Sequence, residues 1–191
     1  MKKTVFFVGL VLILFCIVLT TKAQKVAVLP SVFYIDGQLA PKMKAEQVQK
    51  EIVALYKKKS TVFQYSSTME IKKKLKENDI DYRTVAEVEP ERLAEILGVD
   101  YVVYANIMMD QEGAQTNNTS NTSTSKGIIS GDDIKTKTQS SETRIKYATV
   151  VEYNIYKSNG EMVYSESRKS NLTYPTAYKG TLKWHVKHSP L

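Results

Sequence analysis

The sequence of 191 residues is poor in the residues that most often carry chemistry. It has one cysteine, two histidines, one tryptophan, five prolines and eight glycines. The lone Cys16 lies inside an apolar run near the start, so a chain trimmed behind that run has no thiol. Disulfides, thiolate catalysis and Cys-ligated zinc are then excluded. With so few glycines there is no Gly-rich phosphate loop, no Gly-x-Gly-x-x-Gly and no Gly-x-Ser-x-Gly. No apolar run reaches the 18 to 20 residues that a membrane-spanning helix needs, the longest being Val5 to Leu19. Nor is there a heavy excess of one charge: 27 Lys+Arg face 20 Asp+Glu, a formal +7. What remains is a globular composition, 42% apolar and 25% charged, which excludes collagen-like, wholly disordered and polytopic membrane classes.

The first 23 residues carry a compartment signal. Lys2 and Lys3 precede the apolar run, and Thr20-Thr21-Lys22-Ala23 closes it with polar and small residues. This is the three-part layout of a cleaved secretory signal peptide, with cleavage expected after Ala23. A single membrane anchor is the rival, and the 15-residue run is short for it. Lipidation at Cys16 is a third possibility, but Phe15 precedes that cysteine where lipoprotein cleavage needs a small residue, so no lipid anchor is expected. Removing residues 1–23 takes away three lysines and no acid, leaving 24 bases against 20 acids, a net +4. So weakly basic an exported chain gives no reason to expect nucleic acid as a partner.

Beyond residue 24 the pattern alternates between strand and helix, which predicts an α/β fold of one domain: a mixed sheet with helices packed on it. Lys25 to Pro30 reads as a strand covered on both faces, and residues 31–42, with Asp36-Gly37 and Pro41, as a loop. Val48, Ile52, Leu55 and Tyr56 recur at helical spacing from about Met43 to Lys58. Thr61 to Tyr65 is a second short strand. Ser67-Thr68-Met69-Glu70 fits a capping box, opening a helix with Met69, Ile71 and Leu75 inward and Lys72, Lys73, Lys74 and Lys76 in water. Pro90 begins a third helix that stops at Gly98, and Val99 to Met109 is a strongly β-branched and aromatic strand. Arg144 to Tyr156 and Glu161 to Ser167 form a long hairpin around Ser158-Asn159-Gly160. Tyr174 to His188 reads as a last helix, with Tyr178, Leu182 and either His185 or Val186 on its inner stripe.

Residues 111–143 break this pattern. They are rich in Ser, Thr, Asn and Gln, with only Ile128, Ile129 and Ile134 as larger aliphatics. They are expected to form a flexible polar insertion, because so little apolar area cannot offset chain entropy. Sequons at Asn117, Asn118, Asn121 and Asn171 are what polar loops produce by chance.

Candidate chemistry is sparse. His185 and His188, three apart on the last helix, could share a metal ion, but no further ligands are placed to complete a zinc set, and an exposed terminal pair is the plainer expectation. Asp132-Asp133 in the insertion, and Asp79 with Asp81, could supply two carboxylates to a glycan hydrolase, which must hold them rigidly about 5 to 9 Å apart. No catalytic residue, cofactor or metal site is assigned on this basis. Twelve tyrosines, several on or beside strands, suit core packing and also protein recognition at a sheet rim.

Lys25-Val26-Ala27-Val28-Leu29-Pro30, together with Leu93-Ala94-Glu95-Ile96-Leu97-Gly98-Val99-Asp100-Tyr101-Val102-Val103-Tyr104, resembles a bacterial envelope superfamily. It includes the curli-secretion lipoprotein, the lipoprotein activator of a penicillin-binding protein and the amino-terminal domain of the Tol-system propeller protein. The resemblance implies an α/β sandwich and a periplasmic, non-catalytic role in binding another envelope protein. It carries over no site residues. The chain departs from the lipoprotein members in lacking a lipid-attachment cysteine, and from the pore-forming member because 111–143 is too polar for a lipid-facing band. A small secreted glycan hydrolase and a subunit of an oligomeric outer-membrane secretion complex are the alternatives. Mass spectrometry of exported protein should find Gln24 at the amino terminus, and Cys16 or Met1 there would refute the cleaved leader.

Overall fold

The computed structural model describes residues 23–126 and 133–191; for residue 115 and for 117–126 and 133–142 it describes the backbone alone. These residues form a mixed α/β fold of seven strands and four helices. β1 (Lys25–Val28), β2 (Val32–Ile35) and β3 (Gln38–Leu39) lead into α1 (Lys42–Lys59). β4 (Gln64–Tyr65), α2 (Thr68–Glu77) and α3 (Pro90–Leu97) follow, then β5 (Tyr101–Lys126), β6 (Asp133–Lys157), β7 (Met162–Lys169) and α4 (Tyr178–His188).

β5 is the axis of the sheet. On one side it pairs in parallel first with β1, Val28 opposite Val103, and then with β2, Val32 opposite Asn106. Three residues, 29–31, lie between the paired positions on the β1–β2 side and two, Tyr104 and Ala105, on β5, so one extra residue bulges at 29–31. Pro30, which has no N–H to donate, sits in that bulge. On its other side β5 pairs antiparallel with β6, and β6 with β7. Parallel pairing makes alternate residues of the β1–β5 root face opposite cores. Val26, Val28, Val103, Ala105, Ile107, Val151, Tyr153 and Ile155 face α1 and α4, while Ala27, Leu29, Val102 and Tyr104 face α2 and α3. Gln49 on α1 is 2% exposed, and its Nε2 donates to the Val28 carbonyl at 2.7 Å, tying helix to strand.

Local signals explain most boundaries. The Ser67 hydroxyl accepts from the Glu70 N–H at 3.1 Å and starts α2, while the Glu70 side chain turns to Lys74 at 3.5 Å. Gly98 ends α3 at φ 66°, with its N–H donating to the Ala94 carbonyl at 2.8 Å.

Several expectations are corrected. Residues 31–42 are not a loop: Val32–Ile35 is β2, and Asp36 (φ 50°) with Gly37 (φ 71°) makes the tight turn into β3. The short strand expected from Thr61 is only Gln64–Tyr65, and Val62 is exposed. Met69 points to water rather than inward, leaving Ile71 and Leu75 to hold α2.

Within the stretch expected to be a flexible polar insertion, residues 111–126 and 133–143 continue β5 and β6 as a two-stranded ribbon paired from Gln111↔Tyr147 to Lys126↔Asp133, and residues 127–132 lie outside the described residues. Ladder hydrogen bonds are made by the backbone, so a polar composition does not forbid pairing once the strands leave the core already in register. At about 3.3 Å per residue the ribbon reaches roughly 50 Å. Its root carries a bulge between Gln111 and Gly113, placed where β2 support ends: the last contacts on that edge are Asp36 N–H to the Met109 carbonyl, 2.8 Å, and Gln111 N–H to Asp36 Oδ1, 2.6 Å.

A Cβ at Gly98 would meet nothing closer than Lys74 Nζ at 3.7 Å, so the obstacle to a side chain there is the left-handed backbone itself. Gly98→Ala should lower unfolding free energy by about 1–2 kcal/mol in urea titration, and an unchanged midpoint would refute the cap.

Candidate functional site

The two faces of the sheet are covered unequally. The face carrying Val103 and Tyr153 is covered by α1 and α4. On the other face the core ends at Tyr104 and Tyr156, because α2 and α3 reach only the β1 end of the sheet. Beyond it the register sets up rows that no helix caps: Val32, Asn106, Glu152 and Ser167, then Tyr34, Met108, Val150 and Lys169. Asn106, Met108, Val150 and Glu152 are half-buried and Tyr34 is 38% exposed, while Val32, at the β2 end of its row, is buried. At about 4.8 Å between strands this platform is about 14 Å wide, and it continues into the ribbon.

At the root of the platform is a cavity of about 190 Å³ lined by residues 86–90, Tyr104, Asn106, Asn154 and Tyr156. Its tyrosines meet edge to face at 5.4 Å. The Tyr104 hydroxyl donates to the Val88 carbonyl at 3.4 Å. Burial, with Tyr156 and Glu89 adding to it, holds that hydroxyl well above its ordinary pKa, so it stays a neutral donor at physiological pH. Among the described residues, the side chains of Glu87, Glu89, Asn106, Glu152 and Asn154 make no hydrogen bond or ion pair.

A larger cavity, about 400 Å³, lies between α1, α2 and residues 79–82. It brings Asp79, Asp81 and Glu46 to one rim with Lys42, Lys50, Lys72 and Lys76. Asp79 and Asp81 are exposed. Asp81 Oδ1 accepts the Arg83 N–H at 3.0 Å, and Glu46 pairs with Lys72 at 3.0 Å. A glycosidase acid must be kept protonated by burial or a neighbouring charge, and these carboxylates instead serve a turn and a surface ion pair in water. Asp132 lies outside the described residues, as does the side chain of Asp133. Among the described residues no group of three or more His, Cys, Asp and Glu is placed to hold a metal ion, and no helix is long and apolar enough to cross a membrane.

The histidines differ from expectation. His185 is fully buried and not part of an exposed pair, while His188 alone faces water. Both His185 and Val186 lie inside, because α4 buries a stripe wide enough for two consecutive positions. The His185 ring stacks on Tyr153 at 5.3 Å and 7°. Tyr164 donates its hydroxyl proton to Glu166 Oε2, 2.9 Å, and so accepts from His185 Nδ1–H at 3.2 Å. That leaves Nε2 bare, buried and without a hydrogen-bond partner among the described residues. His188 instead donates to the Trp184 carbonyl at 2.8 Å and stacks on the Trp184 ring, whose plane also carries the Arg168 guanidinium at 4.0 Å. Periodicity alone could not choose between His185 and Val186 for the interior, and the stacking partner, Tyr153, comes from a distant strand.

No protein-family model matches the sequence, and no curated protein matches it. Solved structures similar in chain path include lipoprotein GNA1162 from Neisseria meningitidis, 14% identical, covering 85% of this chain and 94% of that one at a TM-score of 0.49. The C-terminal domains of LpoB from Salmonella enterica and Escherichia coli are 11% and 10% identical. Each covers 78% of this chain and 84% of its own, at TM-scores of 0.44 and 0.42.

Burial, the main cause, lowers the His185 pKa, opposed by Glu166 and the Val151 backbone and reinforced by Arg168 and His188. With the folded-state pKa below the unfolded value, both states are neutral above about pH 6.5. As pH falls below that, the unfolded chain takes up the proton first, so stability falls toward the folded-state pKa. The drop in thermal midpoint between pH 7 and pH 5 should be smaller in His185→Phe than in the parent; equal drops would refute the assignment.

Proposed function

We propose that this chain is an exported protein of the bacterial cell envelope that works by binding another envelope protein, as an assembly factor rather than a catalyst. The leader of residues 1–23 supports export, with the mature chain starting at Gln24 in the periplasm or beyond the cell. The observation that carries the binding role is the uncovered platform of Tyr34, Met108 and Val150, whose paired strands run on past a single bulge into a ribbon of roughly 50 Å. A sheet face that closes no core retains half-buried apolar and aromatic groups only at a cost that a partner can offset. The ribbon extends the same paired backbone away from the body, giving a long lever whose composition is polar nearly throughout.

That composition also weighs between the alternatives. Residues 111–126 and 133–147 hold only Ala114, Ile134, Ile145 and Tyr147 as apolar or aromatic positions. A membrane barrel needs an apolar residue at every second position over about nine to eleven residues, so the ribbon suits water better than lipid.

The test is site-specific photo-crosslinking in intact cells. A photoreactive residue at Met108 or Val150 should join the protein to one discrete envelope protein, and one at Lys58, on the exposed side of α1, should not. No product from the platform, or the same products from both places, would overturn the binding surface.

A further inference from the structure

The cavity at the root of the platform has a chemistry of its own. At about 190 Å³ it falls below the 300–1,000 Å³ of pockets that enclose a small molecule, and its size suits one side chain. Tyr104 and Tyr156 supply ring surface, Asn106 and Asn154 supply amide oxygens, and Glu87 and Glu89 supply two carboxylates on the segment before α3. None of these amides or carboxylates is used within the fold among the described residues.

The charge around the cavity has one sign. Glu152 stands one row away and Asp110 lies further along the same face of β5, and neither forms an ion pair among the described residues. The bases of that face lie at its far end, away from the cavity: Lys169, engaged by Glu112 at 3.6 Å, and Lys146, two positions past Ala148 on β6. With Glu87, Glu89 and Glu152 nearest the cavity and the lysines at the far end of the face, the cavity end attracts a cationic partner and repels an acidic one. Among cations, arginine matches the lining most fully. Its planar guanidinium stacks on tyrosine, forks onto a carboxylate and donates to amide oxygens at the same time, whereas a lysine ammonium offers a point charge.

We propose that the platform binds a basic polypeptide segment of its partner, anchored by one arginine side chain seated in the cavity against the Tyr104–Tyr156 pair and held by Glu87 and Glu89. This rests on the reading that the platform is the binding surface, and it adds the chemistry of what binds there. The partner segment crosses Met108 and Val150 with its backbone and seats its arginine at the β1 end. Further basic residues meet Glu152 and Asp110.

The experiment titrates the mature chain with a fluorescent arginine decapeptide and with the matching lysine decapeptide, at two salt concentrations. Arginine should bind more tightly than lysine, and its amide shift changes in NMR should centre on Tyr104, Asn106, Asn154 and Tyr156. The double variant Glu87→Gln, Glu89→Gln should lose about tenfold in affinity. The remote pair Glu77→Gln, Glu95→Gln, equal in charge change, should lose about twofold or less. Equal loss in both pairs, or shift changes centred elsewhere, would overturn the pocket. Photo-crosslinking from Met108 separates the two ideas. A partner captured by the parent but lost by the Glu87/Glu89 variant supports the arginine anchor. A partner captured equally by both overturns the anchor and leaves the platform standing, and no partner from the parent refutes the platform itself.

Discussion

The structure depends on how long a single strand can be covered. β5 pairs with β6 on one edge throughout and with β1 at Tyr101–Val103 and β2 at Asn106–Met109 on the other, and at its root both faces are buried, so Val102, Val103, Tyr104 and Ala105 must all be able to leave water. A strand that closes two cores cannot alternate, and this one does not. Further along, the helices on the Tyr104 face stop, and Asn106 and Asp110 appear among the positions that would otherwise need to be apolar. Past Gln111, β6 is the paired neighbour of β5 among the described residues. The sequence there turns polar while the ladder persists.

That gradient organises the proposed binding role as well as the fold. Full coverage gives a rigid root, half coverage gives an open face with a stable backbone beneath it, and the ribbon gives reach. Binding surfaces set on strands are held more firmly than surfaces set on loops, and the residues before α3, with Glu87 and Glu89, border the open face at its most rigid end. The long strands also make the fold rich in non-local pairing, which slows folding, while the Asp36-Gly37 and Ser158-Asn159-Gly160 turns set two of the hairpins locally.

Much of the body was legible because its signals are local. The Ser67 cap, Pro90 at the start of α3, Gly98 at its end and the β-branched run from Val99 each act within a few residues. The failures have different physical causes. Met69 lies two residues before Ile71, about 200° round a helix from it, so it faces water when Ile71 and Leu75, four apart, pack inward. Val32–Ile35 resembles a loop between Pro30 and Pro41 until β5 offers it a partner. The ribbon escaped detection because composition reports burial and not hydrogen bonding, and a polar hairpin satisfies its backbone without burying anything. Of the candidate residues, His185 and His188 were visible as a pair, yet a helix sends neighbours three apart to different depths when one of them lies near the edge of its stripe.

The sequence by itself determined the alternation of strands and helices, the caps that bound them and the leader-like start, because each rests on covalent geometry, local hydrogen bonds or hydrophobic periodicity. Only the tertiary structure decided that one sheet face is left open, that Tyr104, Tyr156, Asn106 and Asn154 meet the Glu87–Glu89 segment around one cavity, and that His185 stacks in the interior on Tyr153. Those groups come from segments tens of residues apart, and strand register, which no local pattern encodes, is what brings them to the same few ångströms.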